Sequence, residues 1–232
     1  MLKKDLILRN PLRLLANQNE DFLAKGQFGA VIARAGVGKT ALLVQLALNS
    51  QLRSKNVLHV SLDDPVSKVT LWYEEVFRNI TQYYQIQRDD QLWEAILPHR
   101  FIMTFKTEGF SAPKLEERIN DLTEQNIFLP QFLIVDGLPF EDAQESVLND
   151  LKALARQLGL RVWFTVKSHR HELDTADDIP APLAQFQDLF EVVVVLLPQA
   201  DKIQIHALKG VPDTPEASQL YLDPATLLIK DR

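Results

Sequence analysis

Eight consecutive residues, Ala33-Arg34-Ala35-Gly36-Val37-Gly38-Lys39-Thr40, have the types and spacing to hold a string of phosphates. Gly36 and Gly38 can take backbone angles closed to other residues. They let the chain curl so that successive N–H groups point inward at anionic oxygens. Lys39 is then placed to reach the outer phosphates, and the Thr40 hydroxyl can ligate Mg2+. Ala35, Gly36, Val37, Gly38, Lys39 and Thr40 are therefore the expected phosphate-binding residues.

The pattern is that of a Walker A loop with Ala33 in place of the first glycine. Such a loop works between a strand and a helix. The apolar run Phe28 to Ala33 precedes it, and the Leu- and Ala-rich stretch from Lys39 to about Gln51 follows. The helix adds its positive dipole end to the attraction for anions.

A second set of residues supplies carboxylates. Asp136 ends the apolar strand Phe132-Leu133-Ile134-Val135, a Walker B arrangement, and is expected to hold Mg2+ opposite Thr40. Gly137 follows, where many ATPases place a catalytic Glu. The water-orienting carboxylate must then come from another strand tip. Asp63 and Asp64 end the run Val57 to Leu62, and a carboxylate there can orient and partly deprotonate an attacking water. Asp63-Asp64-Pro65 is also a good helix start, so one Asp can cap while the other acts, with Asp63 placed first.

These residues need a scaffold that brings strand tips together. Strands are expected at 28–33, 57–62, 101–105, 132–135 and 162–166, alternating with helices after Lys39, from Val69 to Tyr84, after Ser111, and from Leu148 to Leu158. Gly159 fits a left-handed helix stop. The alternation predicts an α/β fold with a mainly parallel sheet flanked by helices. Runs at 192–197, 203–208 and 220–222 have short connections and read as an antiparallel C-terminal extension. Residues 1–25 read as a lead-in segment that packs on a neighbouring subunit or as an ordinary amino-terminal helix, and 26–232 as one nucleotide-binding domain. Trp72, Trp93 and Trp163 read as core, and Tyr83 and Tyr84 as packing. Ser168 to Gln187 lacks periodicity and reads as a mobile surface loop. His169 and His171 within it could serve a metal, but no third ligand is evident.

Composition sets bounds. The 232 residues carry a net charge of −6 with 46% hydrophobic and 24% charged residues, which is ordinary globular usage. No cysteine is present, so thiol catalysis and thiolate metal sites are excluded. No signal-like core follows Met1 and no run approaches a membrane span, so a cytoplasmic location without membrane insertion is the expectation. Lys and Arg are scattered, which disfavours nucleic acid as the main partner.

On Ala35 to Thr40, Val60-Ser61-Leu62-Asp63-Asp64-Pro65, Ile134-Val135-Asp136 and the closing hairpin, the chain resembles the RecA-like superfamily over roughly residues 23–230. The similarity is to the group holding KaiC, the RadA-type repair proteins and the DnaB-type helicases. The resemblance implies a RecA-like P-loop ATPase fold, with ATP and Mg2+ bound and a ring or filament of identical subunits. In KaiC-like proteins the first of two Glu after the second strand is catalytic, and Asp63 and Asp64 occupy those positions. The family's late strand presents a Lys and then an Arg to the neighbouring subunit's site. Lys209 matches the Lys, and Val211 stands where the Arg would be. Lys167 stands at the tip that carries the family's γ-phosphate sensor, often Gln or His, and both Lys167 and Lys209 are expected nucleotide contacts on this basis.

Two classes of function follow. One is an ATPase that couples hydrolysis to a conformational or assembly change. The other, motivated by Val211 and the shorter acids, is a slow or non-hydrolysing module whose protein partner senses nucleotide state. A DNA-dependent motor and a small-molecule kinase are less favoured, since the segment after Lys167 turns acidic.

Overall fold

Near-unbroken apolar strands require cover on both faces, and the chain supplies it. The computed structural model describes residues 3–15, 22–142, 144–169, 178–211, 214–215 and 217–231. Its strands are β1 (Phe28–Ala33), β2 (Val57–Ser61), β3 (Arg100–Thr104), β4 (Phe132–Asp136), β5 (Arg161–Lys167), β6 (Val192–Gln199), β7 (Lys202–Lys209), β8 (Tyr221–Leu222) and β9 (Ile229–Lys230). They form a nine-stranded sheet in the order β3-β2-β4-β5-β1-β6-β7-β8-β9. The helices are α1 (Lys3–Arg9), α2 (Lys39–Leu52), α3 (Val66–Tyr83), α4 (Asp89–Ile96), α5 (Ala112–Glu124), α6 (Glu145–Leu158) and α7 (Ala181–Ala184).

Side chains alternate across the sheet. Val31, Val57, Ile134, Trp163 and Val194 join α1, α2, α3 and Ile96 of α4 in one core, while Ala30, Leu58, Leu133, Phe164 and Val193 join α5, α6 and α7 in the other. The sheet is thus a middle layer between two helical layers, as the α/β reading expects.

β1 to β6 all run parallel, and β7, β8 and β9 are antiparallel. The run at 192–197 therefore belongs to the parallel sheet beside β1, and the antiparallel extension begins one strand later than its connections suggested. β6 pairs with both kinds of neighbour, which a list of loop lengths does not reveal.

α2 is buried along its whole length from Ala41 to Leu52. A helix surrounded on all sides can be apolar all round, with no clear stripe. Its polar Gln45 is accounted for by the chain's end: Gln45 Nε2 donates to Leu227 O at 2.8 Å, and Ile229 N donates to Gln45 Oε1 at 2.9 Å. The β8–β9 hairpin is thereby fastened to the helix that follows the Gly36–Gly38 loop.

The lead-in segment packs on its own chain. Leu6, Leu12 and Leu15 share the core with α2, and Tyr84 Oη donates to Arg9 O at 3.0 Å. α6 ends at Gly159 with φ 65°, and the cap N–H bonds Ala155 O and Arg156 O, the left-handed stop expected there. Trp163 is buried and Trp72 and Trp93 pack against the core. Residues 170–177, including His171, lie outside the described residues. The part after them is not a surface loop: Leu183 and Phe186 are buried with the α5–α6 layer. Its apolar residues are too sparse for a periodic signal but sufficient to anchor one short helix.

Candidate functional site

Parallel strands put all their carboxyl ends along one edge, and α/β ligands bind there. β1 delivers the Gly36–Gly38 loop to that edge. β2 delivers Asp63 and Asp64, β4 delivers Asp136, and β5 delivers Lys167, which pairs in register with Ala33. Asp136 is likewise in register with Ser61. Four segments remote in sequence thus meet at one line.

The loop has the conformation its glycines permit. Gly36 has φ 76° and Gly38, the residue before α2, has φ 109°. A Cβ on Gly36 would meet nothing within 4 Å, so the loop borders open space there. Lys39 Nζ donates to Ala33 O and Arg34 O, each at 3.0 Å. These are bonds within its own loop, and they hold the ammonium at the loop mouth. Burial lowers the Lys39 ammonium below its ordinary pKa, Asp136 opposes this, and Lys167 reinforces it.

Asp136 is the centre of a hydrogen-bonded cluster. Thr40 Oγ1 donates to Oδ2 at 2.9 Å, and Thr165 Oγ1 donates to Oδ1 at 2.6 Å. Thr165 Oγ1 also accepts from Gly137 N at 3.0 Å, which fixes the strand tip. Buried His59 brings Nε2 to 3.8 Å from Oδ2, an ionic approach longer than a hydrogen bond. Asp136, His59 and Thr165 share strand parity with Ile134, Val57 and Trp163, so all three face α2. Burial alone would raise the Asp136 carboxyl. The imidazole of His59 and the two threonine hydroxyls outweigh it and hold the carboxyl below its ordinary value.

The donor set suits a hard divalent cation. Thr40 and Asp136 offer oxygen ligands side by side, as Mg2+ requires. The Thr40 hydroxyl can donate to Asp136 while its lone pairs remain available. When bound, Mg2+ would neutralise charge on the outer phosphates. Among the described residues no group of three or more His, Asp or Glu side chains forms a metal cage, so oxygens from a phosphate ligand and water would complete such a site.

The two candidate acids divide. Asp64 Oδ1 pairs with Lys68 Nζ at 2.8 Å, one turn into α3. Asp63 instead lies across the tip of β4. Gly137 has φ 91°, and a Cβ built on it would stand 2.7 Å from Asp63 Oδ2 and 2.8 Å from Cγ. The Asp63 carboxylate therefore occupies the space that any other residue at 137 would fill. Burial, then the charges of Asp136 and Asp64, raise the Asp63 carboxyl, while Lys167 and Lys68 pull it down.

Lys167 is exposed at the β5 tip and acts on both Lys39 and Asp63 through its charge. Lys209 is elsewhere. It pairs with Val193 near the amino end of β6, so it lies at the opposite end of the sheet, where its Nζ donates to Gln187 O at 2.9 Å. Within one chain it does not join the site.

Thr165 and His59 escape a motif-based reading. Their signal in the sequence is slight: a Thr in Val-Trp-Phe-Thr-Val and a His in Val-Leu-His-Val. Each is a polar residue inside a strand buried on both faces, which demands a partner.

No protein-family model matches the chain, and no curated protein matches it significantly. Among the described residues, no helix is long and apolar enough to cross a membrane.

Proposed function

We propose that this chain is a RecA-like P-loop ATPase that binds ATP with Mg2+ on Ala35 to Thr40 and hydrolyses it to drive a conformational or assembly change. The observation that carries the reading is the seating of the Asp63 carboxylate on Gly137, next to Asp136 and across the sheet edge from Lys39. A phosphate loop and a Walker B acid support binding alone. A third, partly desolvated carboxylate beside them supplies what hydrolysis needs, a base for the attacking water.

In this reading the loop N–H groups and Lys39 bind the β- and γ-phosphates, and Thr40 and Asp136 hold Mg2+. Asp63 takes the proton of the water that attacks the γ-phosphorus, while the bond from that phosphorus to the β–γ bridging oxygen breaks and ADP and phosphate leave. Lys167, exposed beside Asp63 and Lys39, contacts the γ-phosphate. Asp64, tied to Lys68, serves the start of α3 and is left out of the chemistry.

A slower, signalling variant of the same reading has one specific support. Lys209 is bonded to Gln187 O, and Val211 carries no charge, so activation by a neighbouring copy has little to draw on from this strand. The bound nucleotide would then be read by a protein partner, or by further copies of this chain, before it is cleaved.

The test is nucleotide binding and turnover measured on the same preparations. Lys39→Ala is expected to lose ATP binding. Asp63→Asn is expected to keep binding and lose turnover by about 100-fold or more, as removal of a positioned base does. Wild-type affinity for ATP in Lys39→Ala would defeat the binding claim. Equal turnover in Asp63→Asn and wild type would defeat the assignment of the base.

A further inference from the structure

We infer that His59 is a positioning residue for Asp136, held in orientation by Tyr73, and that this pair sets the Mg2+ affinity of the nucleotide site. The inference rests on the reading of Asp136 as the magnesium-side carboxylate.

His59 sits in the middle of β2, fully buried, between Leu58 and Val60, on a strand whose other polar residue is Ser61 at its end. An Ile or Val would fill the position without any polar cost. Its Nδ1 is 3.1 Å from Tyr73 Oη. Its Nε2 is buried, has no hydrogen-bond partner, and stands 3.8 Å from Asp136 Oδ2. An orphaned buried nitrogen aimed at a functional carboxylate calls for an explanation.

Electrostatics decides which way the ring is protonated. A lone pair on Nε2 facing a carboxylate would repel it. Every proton arrangement that avoids this puts a hydrogen on Nε2, so the ring presents a donor to Asp136. In the neutral ring Nδ1 then accepts, and Tyr73 Oη must donate. Burial pushes the Tyr73 phenol upward, so it stays a hydroxyl and remains able to donate. Tyr73 is itself fixed, with its ring under the Arg100 guanidinium at 4.7 Å and edge-on to His59.

The three contacts on Asp136 are then complementary. Thr165 holds Oδ1 from β5, Thr40 holds Oδ2 from α2, and His59 backs Oδ2 from β2. A swing of the carboxylate by under about 1 Å would bring Oδ2 within hydrogen-bond range of Nε2. Partners of this kind orient a metal-side carboxylate, and removing one typically weakens metal binding 10- to 100-fold.

The experiment is a Mg2+ titration of fluorescently labelled ATP binding, with a parallel measurement in EDTA. Wild type, His59→Leu, His59→Gln, Tyr73→Phe and Asp136→Asn are compared. His59→Leu is expected to require about tenfold more Mg2+, with affinity in EDTA unchanged. His59→Gln restores an N–H donor near the Nε2 position and is expected within about threefold of wild type. Tyr73→Phe removes the hydroxyl that holds Nδ1, so the ring can turn Nε2 away from Asp136, and it is expected to shift the titration in the same direction as His59→Leu.

A filler role alone would predict the reverse ranking, since Leu fills the space without a polar atom. Wild-type Mg2+ dependence in His59→Leu, or no rescue by His59→Gln, overturns the inference. If His59→Leu does not fold, Tyr73→Phe decides: a shifted titration supports the inference and an unshifted one overturns it. Asp136→Asn separates the two levels. If it leaves the titration unchanged, the metal-site reading falls and this inference with it. If it shifts the titration while the His59 and Tyr73 variants do not, only this inference falls.

Discussion

Gly137→Ala is the most direct test of how this site is built. The substitution adds one carbon, far from the phosphate loop in sequence, and its effect is fixed by two structural facts. The first is conformational. Gly137 has φ 91°, a backbone state that L side chains rarely adopt, and holding Ala there costs about 1–2 kcal/mol. The second is steric. The new Cβ would lie 2.7 Å from Asp63 Oδ2, so the carboxylate must retreat by about 0.7 Å to reach ordinary contact distance. Asp63 is a partly exposed side chain at a strand tip, so it can move, and stability should fall by little beyond the backbone term. Function is less tolerant. Displacement of a reacting group by about 1 Å can lower a rate on the order of 100-fold. The expected result is therefore a loss of about 1–2 kcal/mol in a urea unfolding curve, near-normal ATP affinity, and turnover reduced by about 10- to 100-fold. The assay pairs equilibrium unfolding with steady-state phosphate release. Gly137→Ala with full turnover, in a protein where Asp63→Asn is inactive, would refute the claim that Asp63 acts from its seat on Gly137.

Three further predictions use the same geometry. Burial and two neighbouring acids raise the Asp63 carboxyl above 3.8, and Lys167 opposes them; Lys167→Ala should move the acidic limb of the pH–rate profile to higher pH, and an unmoved limb would count against Asp63 as the titrating base. The sign for stability is opposite to that for function: ionised Asp63 is disfavoured by the fold, so Asp63→Asn should stabilise the protein near neutral pH by under about 1 kcal/mol, given its exposure, with the gain fading as pH falls through the raised pKa towards 3.8, as thermal melts across pH would check. Gln45→Leu should cost about 2 kcal/mol, because it leaves Leu227 O and Ile229 N without their partner, and limited proteolysis should then cut first near the β8–β9 hairpin.

Much of the fold can be read along the chain. The β1 bounds Phe28–Ala33 coincide with the apolar run, because a strand buried on both faces excludes polar residues over its full length. The stop of α6 at Gly159 is legible because only a left-handed residue ends it. What was missed has few local marks. α4 is short and buries only Ile96. β9 has two residues and exists through its pairing with β8 and through Gln45.

The site divides in the same way. The sequence by itself determines the loop that the proposal reads as phosphate-binding, because two glycines, a Lys and a Thr at fixed spacing create its chemistry locally. It also determines that acids end β2 and β4, because a charge stops an apolar strand wherever it stands. It places Asp63 only slightly ahead of Asp64. Tertiary structure separates them: Asp64 meets Lys68 in the first turn of α3, while Asp63 crosses to a glycine 74 positions away in the chain. Lys209 at the far end of the sheet, and His59 and Thr165 behind Asp136, are likewise decided by strand order and direction. Contacts between strands depend on which strands are neighbours, and the crossovers that set those neighbours leave no mark in the residues they join.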